Sequence, residues 1–424
     1  MEYRTYKPKN RTLEYDVAVI GGGLCGVNAA IAAAREGKKT ILVEKYGFFG
    51  GMATAGLVNP FMSYCAHQTD EMINTGLFKE LLGRMYKKGG TNILQCYHFN
   101  EQILKIVLDE MVVESGAHIL FHALLRGVET NGREIVSAVC ETLSGTIKIR
   151  AKRFIDATGD AHLAAFAGVP YEFGDDEGGP CQPMTTNFHV ANADWQRYDR
   201  QKANALYAAF RAEGRIKNPR ENILSFTLPA KNMMHFNSTR ISGKDPLDAE
   251  ERTEAELIGR RQVWELFGFL KENVAGLEEA YLSAIGDEIG VRESRRIKAL
   301  YRLNENDVLS CRKFDDGICC CSYDIDIHNQ GEGGKCVKLP PKEYYTIPYR
   351  SLVPESYDNL LVAGRSIGSS HIAQSSFRIM PVTACMGEAA GIAAAVSIDE
   401  NANMKNVDVS EVHVSLDRNG CRYR

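Results

Sequence analysis

Residues 16–44 read in order as strand, glycine turn, helix, strand and acid, and that succession constrains the fold more than any other stretch of the chain. Residues 16–20 (Asp-Val-Ala-Val-Ile) are a short apolar, β-branched-rich strand. Gly21, Gly22, Gly23, Leu24, Cys25 and Gly26 follow at once, so a G-x-G-x-x-G pattern falls on Gly21, Gly23 and Gly26. In that pattern the first glycine permits the tight turn, the second lets backbone N–H groups reach a pyrophosphate, and the third lets helix and strand pack closely. Leu24 and Cys25 open an Ala-rich helix, expected over Leu24–Arg35, whose positive end would face the phosphates and whose C-terminal stop is Gly37. Residues 39–43 make a second strand ending at Glu44, 18 residues beyond Gly26, near the distance at which a carboxylate takes ribose hydroxyls. A carboxylate there also argues against a 2′-phosphate, since two anions would meet without a cation between them. FAD and NAD both remain.

The next segment favours FAD. In a simple NAD dehydrogenase the chain proceeds from the ribose acid into another β-α unit, whereas residues 45–53 form a loop carrying Lys45 and a second glycine pair, Gly50 and Gly51, followed by Met52. Those glycines let backbone lie against a bulky ligand without a Cβ in the way. Two further strands end in small-residue turns, residues 152–160 with Ala157, Thr158 and Gly159, and residues 359–365 with Gly364. Strand ends of this kind converge at the carboxyl edge of a parallel sheet, where open α/β folds bind ligands. Pro381 suits the first turn of a closely packing helix of small residues, whose N-terminus would stabilise negative charge on a reduced ring.

The runs at 21–26, 46–56, 155–160, 291–297, 359–365 and 378–381 resemble the FAD-dependent oxidoreductase family of the two-dinucleotide-binding flavoproteins, a group that also contains the glutathione reductases and the fumarate reductase flavoproteins. The resemblance extends over about residues 14–415 and is weakest in the middle. It implies FAD contacts at Gly21, Gly23, Gly26, Glu44, Lys45, Gly50, Gly51, Met52, Ala157, Thr158, Gly159, Gly364 and Pro381, with Leu24 and Cys25 at the helix end. It also implies that the backbone of Leu125, on a strand expected over 119–125, meets adenine. Covalent members of the fumarate reductase branch carry a histidine in the loop after the acid; residues 45–56 contain none, so non-covalent FAD is expected. No second G-x-G-x-x-G is present for a pyridine nucleotide, so a separate electron acceptor or donor is required.

With cofactor motifs at both ends, the α/β, Rossmann-like FAD-binding domain with its central parallel sheet should be discontinuous, over 1–168 and 346–424. Residues 169–345 then form an inserted α+β substrate lobe, with an extended run at 183–191 and helices at 195–212 and 249–273. Leu257, Val263, Trp264, Phe267 and Leu270 would be the buried stripe of the last. A length of 424 residues and an apolar share of 44% support two such lobes.

Net charge is −4 with mixed signs, which excludes a nucleic-acid face and leaves Arg4, Lys7, Lys9 and Arg11 as a solvated arm. No apolar run resembles a signal peptide or a charge-free membrane span, so a cytoplasmic protein with no membrane partner is expected. The twelve cysteines then read as reduced thiols, and no C-x-x-C or other spacing supports a metal site, even at Cys319, Cys320, Cys321 and Cys336.

Candidates for chemistry lie on segments returning to the flavin: His371, Arg378 and the group Arg292, Arg295 and Arg296. Three unpaired guanidiniums would not stay together near a dry site, so that group should include a structural ion pair. The expected activity is hydride transfer between a small polar substrate and flavin N5, with His371, Arg378 or Arg292 orienting the substrate or moving its proton. Reduction of an activated C=C bond, an NAD-binding dehydrogenase and a non-catalytic flavoprotein stay open, as does a homo-oligomer.

Overall fold

The computed structural model describes residues 5–92, 97–331 and 333–424; Arg4 of the basic arm lies outside them. The first strand, β1 (Arg11–Ile20), runs longer than its apolar half, and only its last four residues are fully buried. It is followed by α1 (Leu24–Arg35) and β2 (Thr40–Val43), then α2 (Leu77–Lys87), α3 (Glu101–Ser115), β3 (His118–Leu120), β4 (Leu124–Asn131), β5 (Glu134–Thr142) and β6 (Gly145–Asp156). The single strand expected over 119–125 is thus two: His122 turns the chain at φ 55, and Leu125 belongs to β4, paired antiparallel with β5.

These strands form one sheet in the order β3-β2-β1-β6-β5-β4, and β17 (Leu360–Val362) joins it beside β6. The first half of β6 pairs antiparallel with β5, and its last residues pair parallel with β17. Alternate side chains of the parallel part enter different cores. Val17, Val19, Leu42 and Ile155 face the cluster that contains α1 and α3, whereas Ala18, Ile20, Val43 and Phe154 face a second cluster under the antiparallel strands. Burial on both faces explains why these strands read as continuous apolar runs.

After α4 (His162–Phe166) and β7 (Tyr171–Phe173) the chain enters the second lobe. There β8 (Phe188–Ala191), β9 (Ser225–Thr227), β10 (Met233–Phe236) and β11 (Tyr281–Ile285) form an antiparallel sheet in the order β11-β8-β10-β9, sharing a core with α5 (Arg200–Ala212) and α6 (Ala249–Asn273). Asp199 caps α5, which begins five residues later than expected, and Asp248 caps α6 at the expected bound. The α6 stripe divides: Val263, Phe267 and Leu270 are buried, while Leu257 and Trp264 are 48% and 69% exposed. Two turns separate Leu257 from Trp264, so both lie on the face turned away from the sheet.

The chain returns through β12 (Arg295–Ile297), which pairs with β7, and α7 (Glu305–Leu309). Next come β13 (Gly317–Cys321), β14 (Ile325–His328), β15 (Gly334–Val337) and β16 (Tyr345–Pro348), paired as β13 with β16 and β14 with β15. Leu303, Phe314, Ile318, Ile325 and Ile347 pack into the α1 core rather than that of the second lobe, so the independent core of the insert ends near Val291, short of residue 345. Along β13, Cys319 and Cys321 face one core and Cys320 another.

Three helices complete the chain: α8 (His371–Phe377), α9 (Met380–Asp399) and α10 (Val409–Arg418). Although it carries Glu388 and so is not charge-free, α9 is long and apolar enough to cross a membrane, but 89% of that stretch is buried inside the protein. It lies against α1 as a core helix: a Cβ at Gly387 would sit 2.0 Å from the Cys25 carbonyl oxygen, and one at Gly391 would sit 2.2 Å from that of Ala29.

The buried Glu388 of α9 accepts a 2.8 Å hydrogen bond from the Leu77 N–H, capping α2 where Gly76 offers no side chain. Burial pushes its carboxyl up to about 7. Because the folded value exceeds the unfolded one, the carboxyl penalises the fold progressively as pH rises from about 4.5 to about 7, by about 3 kcal/mol in all. Glu388→Gln stays neutral, so its melting temperature relative to wild type should rise between pH 5 and pH 8, as scanning calorimetry would show; a pH-independent difference would contradict this assignment.

Candidate active site

Four parallel strands stop at one level. Ile20 pairs with Val43 and with Asp156, and Asp156 pairs with Val362, so the residues after β1, β2, β6 and β17 meet along one edge. Gly21 leaves β1 at φ 103, and a Cβ there would lie 2.5 Å from the Ala157 carbonyl oxygen. At Gly26 a Cβ would come within 1.8 Å of the Gly21 oxygen, so this glycine serves helix–strand packing and is absent from the cavity wall. Gly21, Gly23, Leu24 and Cys25 line that wall. Gly23 caps α1 without a side-chain bond, and the first turn holds no acid, so the helix presents unsatisfied N–H groups to the cavity.

The second glycine pair packs on the first. The Gly50 N–H bonds the Gly22 oxygen at 2.8 Å, and a Cβ at Gly51 would meet Gly23 Cα at 2.9 Å; Gly50, Gly51 and Met52 all line the cavity. Beside them the buried Glu44 accepts from Gly22 N–H at 2.6 Å and from Tyr46 N–H at 2.9 Å. Burial raises its pKa, and those backbone bonds oppose the rise. Lys45 pairs instead with Glu288 of the inserted lobe at 2.8 Å, and Glu288 also accepts from Tyr46 Oη at 2.6 Å and from Arg252. Burial alone would raise the Glu288 carboxyl, but Lys45 and Arg252 hold it below its ordinary value. Arg252 and Glu288 are wall residues that no motif indicated, and Tyr46, from the 46–56 run, lines the wall with them.

Across the cavity the buried Asp156 builds the turn after β6: one oxygen accepts from Thr158 N–H at 3.0 Å and Thr158 Oγ1 at 2.7 Å, the other from Ala164 N–H at 2.9 Å. Ala157, Thr158 and Gly159 thereby enter the wall beside Gly364, and Arg365 closes the turn through Asp160 at 2.6 Å. The N-terminus of α9 reaches the same wall through Met380 and Thr383, and it too lacks a side-chain cap. Pro381 occupies its first turn but is buried behind the wall, and Leu125 lies outside it.

A second cavity of about 430 Å³ shares Met52, Arg365, Arg378 and Met380 with the first. Arg292 lies in its wall, donating at 2.6 Å to the Pro183 carbonyl and at 2.6 Å to Thr185 Oγ1. Burial, with Arg378 and Arg220 next in effect, pushes its guanidinium down to about 9. Arg378 donates to the Asp326 carbonyl at 3.2 Å and to Gln182 at 3.4 Å. Of the neighbouring arginines, Arg296 forms the expected structural pair, with Glu293, and Arg295 bonds the Asp160 carbonyl at 3.0 Å. His371 lines neither cavity: its Nδ1 lies 2.8 Å from Glu293, inside that ion-pair cluster.

The sequence reading passed over Tyr323, Asp326 and His328 in this wall. His328 Nε2 lies 3.4 Å from Asp326 Oδ2, which accepts from Tyr323 Oη at 3.1 Å. The signal was present: in residues 323–328 (Tyr-Asp-Ile-Asp-Ile-His) strand alternation puts Asp326 and His328 on one face and Ile325 and Ile327 on the other. Burial, followed by Arg292, pushes His328 down to about 4, so it is neutral at physiological pH. Asp326 would be raised by burial, but His328 and Arg378 hold it well below the usual carboxylate range.

The profile of the FAD dependent oxidoreductase family matches residues 16–416, nearly the whole chain. The protein belongs to this family. No protein of curated function matches it in sequence. Among solved structures it is similar to a geranylgeranyl bacteriochlorophyll reductase-like protein from Thermoplasma acidophilum (14% identity, 97% of this chain and 84% of that one, TM-score 0.48). It is also similar to the flavin-dependent brominase Bmp2 (12%, 96% and 84%, TM-score 0.49) and to p-nitrophenol 4-monooxygenase PnpA from Pseudomonas putida (12%, 96% and 85%, TM-score 0.47).

FAD is therefore the cofactor of this oxidoreductase, and the first cavity suits it: an uncapped helix end and glycine backbone for the pyrophosphate, and a buried carboxylate for ribose hydroxyls. Glu44→Arg removes an acceptor and orphans two backbone donors, each charge-assisted bond being worth about 1.5–3 kcal/mol. FAD affinity, read by fluorescence titration of the apoprotein, should fall at least tenfold; an unchanged value would place the ribose elsewhere. Among the described residues no histidine lines this cavity, and burial raises the Cys25 thiol, keeping it protonated. Acid precipitation should release the flavin into the supernatant, and colour retained in the pellet would demonstrate a covalent bond.

Proposed function

We propose that the enzyme oxidises a small polar molecule held in the second cavity, transferring a hydride to FAD and a proton to His328. The observation that carries this reading is the Asp326–His328 pair in a cavity that shares four wall residues with the cofactor cavity. FAD supplies the two-electron acceptor, with hydride taken up at N5. A neutral His328 can accept a proton from a substrate O–H or N–H, and Asp326 then stabilises the imidazolium across Nε2 while Tyr323 fixes the carboxylate. Nδ1 makes no hydrogen bond among the described residues and is the nitrogen available to substrate.

The uncapped end of α9 adds partial positive charge at the shared wall, suited to a cofactor that gains negative charge on reduction. Reduction of an activated C=C bond is the less favoured direction, because His328 would have to enter that reaction protonated and its low pKa opposes this. Electrons then leave to a separate acceptor, since the sequence carries a single G-x-G-x-x-G.

His328→Ala should retain FAD but reduce its flavin about 10²–10⁴-fold more slowly in anaerobic stopped-flow with a reducing substrate found from a panel of small acids, alcohols and amines. The deprotonated imidazole is the active form, so wild-type kcat/KM should rise with pH through about 4 and level above it, and this limb should vanish in the variant. Wild-type rates in His328→Ala and Asp326→Asn alike would remove the pair from the reaction.

A further inference from the structure

The second cavity holds more positive charge than the protein neutralises. Arg220, Arg292, Arg365 and Arg378 all reach its wall, against the single carboxylate of Asp326. Arg365 is matched by Asp160. The other three have no carboxylate within ion-pair distance among the described residues: Arg292 is bonded to a carbonyl and a hydroxyl, Arg378 to a carbonyl and an amide, and Arg220 to the Asn222 amide at 3.4 Å. Arg220 is 8% exposed, and Arg378 Nε is buried with no partner. The two other arginines that are fully buried are both paired with acids, Arg296 with Glu293 and Arg240 with Glu221. Unpaired buried charge is costly, and three such groups converging on one cavity form a site for an anion supplied from outside. Arginine forks match carboxylate geometry.

Much of the rest of the wall is apolar, although Asn59, Thr185, Asn187 and Asn237 also line it. Val58, Pro60, Met62, Leu224, Phe226 and Ile379 line the same cavity, and its volume of about 430 Å³ falls in the range of small-molecule sites. A bare inorganic anion or a fully polar acid would leave that surface uncovered. We infer that the substrate is an organic carboxylate with an apolar aromatic or branched body, its carboxylate held by Arg220, Arg292 and Arg378 and its body against the Val58–Met62 and Leu224–Phe226 walls. The inference rests on the second cavity being the substrate site, as proposed above, and it determines which small polar molecules the enzyme accepts: charged at one end, greasy at the other.

Perturbation of the bound-flavin absorption spectrum reads occupancy of this cavity without turnover. In the FAD-loaded wild-type enzyme, benzoate and phenylacetate should give saturable difference spectra, with benzamide and acetate each binding at least tenfold more weakly. Arg220→Gln, Arg292→Gln and Arg378→Gln, each checked for full FAD content and an intact thermal transition, should weaken benzoate about 10- to 100-fold, the loss expected for a charge-assisted hydrogen bond. Benzamide binding as tightly as benzoate, no perturbation by either acid up to its solubility limit, or unchanged benzoate affinity in all three variants would overturn the inference; the wild-type comparison stands even if a variant fails to fold. Failure of the functional reading has a different signature: benzoate binding that depends on the arginines, with no carboxylic acid able to reduce the flavin, would leave the carboxylate site standing and remove substrate oxidation.

Discussion

Backbone-to-backbone contact at a few glycines is the constraint on which this molecule depends. Gly26 brings α1 against the turn at Gly21, and Gly387 and Gly391 bring α9 against the carbonyl side of α1 at Cys25 and Ala29. No Cβ fits at any of these points without backbone movement. Because both helices are seated this closely, both uncapped N-termini reach one cavity and bring the partial positive charges of two helix ends to its wall. The level stop of β1, β2, β6 and β17 does the rest, since strands ending at different heights would spread Gly21, Glu44, Thr158 and Gly364 over the surface.

The inserted lobe completes what the cofactor domain begins. Through Glu288, bonded to Lys45, Tyr46 and Arg252, it is tied to the loop after Glu44, and the Glu288 N–H bonds the Ala55 carbonyl at 3.1 Å. Through Thr185, Arg220 and Arg292 it supplies one side of the second cavity, while Arg378 and Met380 at the start of α9 supply the other. Charge is distributed unequally between the two cavities. In the first cavity Lys45, Arg252 and Arg365 are each matched by a carboxylate, whereas among the described residues Arg220, Arg292 and Arg378 are not. Stability would favour pairing all of them, so the exception marks where a ligand's charge belongs.

Local chemistry alone made the cofactor half legible. Turn, helix and acid in residues 16–44 obey sequence-local rules: which residues tolerate φ 103, which propagate a helix, which alternate along a strand. Hence α1 matched its expected bounds, and the motif residues Gly21, Gly23, Glu44, Gly50, Thr158 and Gly364 come together in one cavity wall. Catalytic candidates fared differently. Proximity in sequence to Gly364 and α9 suggested His371, but α8 turns its imidazole toward Glu293, and an ion pair 78 residues away in sequence is not a local property. Leu125 was assigned to a strand that His122 divides, and the α6 stripe included Leu257 and Trp264 because hydrophobicity does not say which face meets a sheet.

By itself, the sequence determined that this chain is an FAD-dependent oxidoreductase built on a mostly parallel α/β sheet, because the strand, glycine turn, helix and acid that signal it lie within a few dozen consecutive residues. Tertiary structure alone decided which of the described cations are paired with acids, that Asp326 and His328 share a cavity with Arg292 and Arg378, and that Arg252 and Glu288 meet in the wall of the first cavity. These are contacts between residues far apart in the chain. Their energies depend on burial and on the nearest opposite charge, neither of which has a value until the two lobes meet.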